Sequence, residues 1–115
     1  MENTNNKDKE ILDKIKSDNG WIPNPLKIME KRPGTVEKFM AYTNIVFEKG
    51  SLSKREKALI SLAATVAFKA GHCIHTKIEE AKTSGISEDE IAQTILMTGI
   101  INNNTMLHVA YEAEK

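Results

Sequence analysis

"SLSKREKALISLAATVAFKAG", residues 51–71, decides the fold class. Ser53 and Glu56 stand in the S-x-x-E spacing of a capping box, in which each side chain accepts the other residue's backbone N–H at a helix start. Behind the box, Leu59, Ile60, Leu62, Ala63, Val66 and Ala67 make the second half almost wholly apolar or small. The pattern predicts a helix packed on most sides, with alanines that let neighbouring helices come close. Gly71 reads as its break.

The flanking segments repeat the helical theme. "ISEDEIAQTILMTGII", residues 86–101, carries a second box at Ser87 and Glu90, with acidic residues in the first turn where the helix dipole favours them. Between the boxes, a helix starting near His72 or Cys73 carries Ile74, Ile78, Ala81 and Lys82 and ends at Gly85. Asn102, Asn103 and Asn104 read as a cap or kink before a final helix holding Met106, Leu107, Val109 and Ala110. Upstream, Ile11, Leu12 and Ile15 predict a short helix from about Asp8 to Ser17, closed by the turn formers "SDNG". "WIPNPLKIMEKRPG", residues 21–34, predicts a second short helix with Asn24 as cap and Pro25 at its first position. A third runs from Thr35 to Gly50, with Val36, Phe39, Met40, Thr43, Val46 and Phe47 on one stripe. No alternating strand pattern competes. The expectation is an all-α fold of about six to seven helices, one domain over residues 1–115, with residues 1–7 flexible.

Composition narrows the functional classes. Lys plus Arg and Asp plus Glu number 16 each, so the positive field of a general nucleic-acid binder is missing. The lone cysteine makes no internal disulfide and no multi-thiolate metal site within one chain, which points to a reducing, cytoplasmic setting. The polar start "MENTNNKDKE" lacks the apolar core of a signal peptide, and no stretch approaches the roughly 20 apolar residues of a membrane span. The apolar stretches around residues 58–68 and 95–106 offer more surface than a small monomer covers easily, so a homo-oligomer is expected.

Cys73 is the residue with chemical potential. Cysteine reacts as its thiolate, which a helix N-terminus and nearby cations favour. His72 and His75 flank it, and Lys69 and Lys77 add charge within a turn. These residues read as a nucleophilic or redox thiol or, the reading that the local sequence alone favours, as a buried inert cysteine at a helix boundary. A metal site built on His72, Cys73 and His75, with His108 reaching back, lacks the paired spacing of zinc motifs, and no glycine-rich nucleotide loop is present, so no cofactor is expected. Trp21 and Tyr42 read as core anchors, or as lining for a pocket or subunit contact.

The run "LSKREKALISLAATVAFKAGHCIHTKIEEAKTSGISEDEIAQTILMTGII", with the lead-in "IPNPLKIMEKRPGTVEKFMAYTNIVFEKGSLS", resembles the carboxymuconolactone decarboxylase and alkylhydroperoxidase D superfamily over about residues 20–110. The resemblance implies that superfamily's helical fold, assembled as homotrimers or hexamers. It also implies a Cys-x-x-Cys-x-x-x-His motif opening the helix. Cys73 falls on the second, peroxide-reactive cysteine and His72 just before it. The first cysteine maps to Ala70, the histidine to Lys77 and the upstream glutamate to Ala58; a two-residue gap would bring His75 to the histidine position. The implied activity is a weak single-cysteine thiol peroxidase or disulfide exchanger at Cys73, tuned by His72, His75 and Lys77. It would need an external thiol reductant and a small-molecule substrate. A degenerate scaffold or small-molecule binding protein is the alternative. The decarboxylase branch, which keeps a histidine where Lys77 stands, fits less well.

Overall fold

The computed structural model describes residues 2–115, except for the side chains of residues 2–6 and of His72. The expected flexibility of residues 1–7 falls mostly on side chains outside that description. Six helices and, among the described residues, no strand make the fold all-α. The helices fall into two compact units, residues 1–50 and 51–115.

The first unit holds α1 (Glu2–Asn19), α2 (Asn24–Met29) and α3 (Thr35–Glu48). Its core is Leu12, Leu26 and Val36, with Ile11, Ile15, Ile22, Met29 and Met40 packed around them. The expected apolar stripe on α3 is covered only in part: Val36 is buried, whereas Phe39, Val46 and Phe47 are exposed. Trp21 and Tyr42 are 49 % and 66 % exposed, so neither is a core anchor. Pro23, rather than Asn24, occupies the N-cap of α2, and Asn24 begins the helix without a side-chain cap bond.

The start of α3 is capped from a distance. Its N-cap is Gly34, at φ 90°, which has no side chain to accept the helix's first amides. Asp8 of α1 supplies the acceptors: Gly34 N–H donates to Oδ2 at 2.8 Å and Glu37 N–H to Oδ1 at 3.0 Å. Asp8 is 4 % exposed, a buried carboxylate satisfied by backbone donors at the positive end of a helix. Lys7 pairs with Glu37 at 3.4 Å beside it.

The second unit holds α4 (Lys54–Ala67), α5 (Gly71–Thr83) and α6 (Glu88–Glu114). Both capping boxes form. Ser53 N–H donates to Glu56 at 2.7 Å and Glu56 N–H to Ser53 Oγ at 3.0 Å, with the equivalent pair at Ser87 and Glu90 at 3.0 and 3.1 Å. Arg55 pairs with the same Glu90, tying the start of α4 to the start of α6. Leu62, Ala81, Ile86 and Ile91 form the core, with Ala58, Leu59, Val66, Ile78 and Ile95 around them. Within this unit α4 is not covered all round: Leu62 is buried, whereas Ile60 is 53 % exposed.

Two matching turns connect these helices. After α5, Gly85 adopts φ 83° while Ile86 N–H reaches back to Ala81 and Gly85 N–H to Lys82, both at 3.0 Å. This is the Schellman arrangement, and its following apolar residue, Ile86, drops into the core. After α4, Ala70 N–H bonds Thr65 and Lys69 N–H bonds Val66, both at 3.0 Å. Here the left-handed position is Lys69, at φ 56°, so the break lies at Phe68–Ala70 and Gly71 opens α5.

The asparagine run neither caps nor ends a helix: α6 continues unbroken through Asn102, Asn103 and Asn104. Thr94, Thr98 and Thr105 turn their hydroxyls back onto the carbonyls of Glu90, Thr94 and Ile101 at 2.8–2.9 Å, leaving the backbone ladder intact. A helix of 27 residues spans on the order of 40 Å.

Candidate functional site

The thiol sits where α5 begins. With Ala70 as N-cap, Gly71 and His72 take the first two helical positions and Cys73 the third. First-turn amides have no acceptor one turn back, so a helix N-terminus carries partial positive charge. Ala70 offers no side-chain acceptor; its carbonyl takes the Ile74 N–H at 2.9 Å. Cys73 is exposed and in no disulfide, so the buried-cysteine reading is set aside.

The candidates divide around the helix. Lys77 lies four residues from Cys73, on the same face, and is 30 % exposed. Its ammonium is turned to Glu80 Oε2 at 3.1 Å. His75 is exposed and, two residues on, points to a different side. The side chain of His72 lies outside the described residues. Glu79 faces Lys82 at 3.8 Å, on the solvated side.

The positions that would assist a thiol are otherwise occupied. Ala58, at the position to which the upstream glutamate maps, packs against the core, and Glu56 is bound into its capping box. The Ser53 backbone N–H and then its hydroxyl hold the Glu56 carboxyl below the ordinary glutamate range. His108 lies on the uninterrupted α6, which does not fold back. Among the described residues, no group of three or more His, Cys, Asp or Glu side chains is placed to hold a metal ion. No helix among them is long and apolar enough to cross a membrane.

Sequence reasoning did not find the open groove of about 420 Å³ between α4 and α6. Ala63, Ala64 and Ala67 form one wall, and Thr98, Ile101, Asn102 and Thr105 the other. The alanines at 63 and 67, one turn apart, were the signal: small residues on one face leave space where larger ones would close it.

This is a small all-α fold with an exposed first-turn cysteine on its middle C-terminal helix. The sequence profile of the carboxymuconolactone decarboxylase family matches residues 33–113, and the chain belongs to that family. It is also similar to a crystal structure of a protein from Methanobacterium thermoautotrophicum, at 31 % identity and a TM-score of 0.69. That match covers 76 % of this chain and 99 % of the other. Comparison with curated proteins returns no match.

Proposed function

We propose that the protein is an alkylhydroperoxidase D-like thiol enzyme of low activity, using Cys73 alone. The observation that carries this reading is an exposed cysteine in the first turn of α5 in a member of this family. The Cys73 thiolate attacks one oxygen of a hydroperoxide; the O–O bond breaks, the alcohol leaves and takes up a proton, and the sulfur becomes a sulfenic acid. One external thiol condenses with it, releasing water and forming a mixed disulfide. A second external thiol attacks that disulfide, returning Cys73 as thiol and leaving as an external disulfide. Lys77 adds charge on the Cys73 face, and His72 and His75 are the bases flanking it in sequence. The protein works as a homo-oligomer, a reading supported by the exposed apolar side chains of α4 and α6.

A second reading, an inactive scaffold or small-molecule binding protein, is favoured by the engaged state of the would-be helpers. Lys77 is paired with Glu80, Glu56 is locked in a cap, and Ala58 carries no acid. The same Lys77–Glu80 pair weighs against decarboxylation, for which Lys77 would have to receive a carboxylate. Peroxide consumption with dithiothreitol as reductant, in unsubstituted and Cys73→Ser protein, separates the readings. A rate that falls to background in the variant supports the thiol enzyme, and equal rates leave the scaffold.

A further inference from the structure

Along α6 the spacing of four exposed apolar residues about a central pair is symmetrical. Leu96, Ile100, Leu107 and Tyr111 are 67 %, 60 %, 56 % and 59 % exposed, and Asn103 and Asn104, also exposed, lie at the centre. Reading outward from the bond between the asparagines, an apolar residue occurs four positions away on each side, and another eight positions away on each side. At about 100° per residue all six side chains fall on one stripe roughly 100° wide. That stripe points away from the face through which Ile91 and Ile95 enter the core.

The geometry points to a twofold interface in which this stripe of α6 packs antiparallel against the same stripe of a second copy. The axis passes between Asn103 and Asn104. Leu96 then meets Tyr111 of the second copy, Ile100 meets Leu107, and the asparagine amides, each both donor and acceptor, bond across the axis. A stripe with the same spacing read in either direction is what an isologous contact requires; a heterologous contact places no such demand. The area is sufficient. The four apolar residues expose about 500 Å² per chain, so a pairing that covered them wholly would remove about 1,000 Å², the lower bound for a specific interface, and the exposed asparagines beside them add to it. The charged end of α6 does not oppose it, since Lys115 is drawn to Glu112 at 3.7 Å and lies over the Tyr111 ring at 4.9 Å.

This interface rests on the reading of the protein as self-associating, and the test separates the two. In a Cys73→Ser background, Ile100→Cys and Leu107→Cys chains are co-expressed and oxidised, and each is oxidised alone. Facing positions in an antiparallel pair give abundant covalent dimer from the mixture. Each chain alone gives at least tenfold less, because two copies of position 100 lie about 10 Å apart along the helices, beyond disulfide reach. Sedimentation of the unsubstituted chain should show an even-numbered assembly, and Leu107→Glu should lower its order while far-ultraviolet dichroism stays helical. An oligomer in which Ile100→Cys alone cross-links as readily as the mixture, or whose size Leu107→Glu leaves unchanged, overturns the interface and keeps self-association. A monomer at about 10 µM overturns both.

Discussion

Removing the Asp8 carboxylate should loosen α3 from α1 by an amount the hydrogen bonds fix. Asp8 accepts two backbone N–H groups, from Gly34 at 2.8 Å and Glu37 at 3.0 Å, and Gly34 is buried. In Asp8→Ala the Gly34 amide loses its partner where water does not replace it easily, at about 1–3 kcal/mol. The half-buried Glu37 amide loses a charge-assisted bond, at about 1.5 kcal/mol. The expected total is about 3 kcal/mol. Asp8→Asn keeps one carbonyl oxygen but turns an NH₂ toward the second donor, so its cost should fall near 2 kcal/mol. Amide hydrogen exchange reads this locally. Protection at Gly34 and Glu37 should drop about 100-fold in the alanine variant, one decade for each 1.4 kcal/mol, while amides of α4 and α6 change less. Protection within threefold of the parent at both amides in Asp8→Ala would refute the reasoning.

Three further outcomes follow from the second unit. Lys69→Gly should stabilise the protein by about 0.5–1 kcal/mol in urea unfolding, because glycine removes the left-handed strain and returns part of the gain as unfolded-state entropy; Gly85→Ala should destabilise it. Leu62→Ala, at a fully buried position, should cost about 3 kcal/mol by the same assay. Glu56 has a depressed folded-state pKa, so its contribution to the α4 cap is present above the unfolded value and lost as pH falls through the folded one. The Glu56 carboxyl carbon followed by NMR should titrate below an unstructured glutamate, and Ser53→Ala, which removes the hydroxyl but keeps the backbone N–H, should bring it only part of the way back.

What could be read from the sequence was what short-range chemistry determines. Ser53/Glu56 and Ser87/Glu90 declare helix starts within four residues, and both boxes formed where they were read. The asparagine run misled because propensity is a weak prior: the backbone ladder of a 27-residue helix outweighs three residues that prefer caps. Asp8 escaped notice because its partner Gly34 is 26 residues away, and nothing near an N-terminal aspartate signals a distant helix end. At the candidate site, the place of Cys73 was legible and its surroundings were not. Whether Lys77 faces a thiol or Glu80 is decided by rotamer choice, and four-residue spacing alone gives only the shared face.

The back-bonded threonines also set the character of the groove between α4 and α6. With the Thr98 and Thr105 protons committed to carbonyls of their own helix, neither hydroxyl has a proton left to donate to a guest. Against the alanine wall, Asn102 is left as the lining side chain on α6 that has an amide to offer. A guest in this groove would be selected by breadth and curvature, with a single amide to fix which way round it lies.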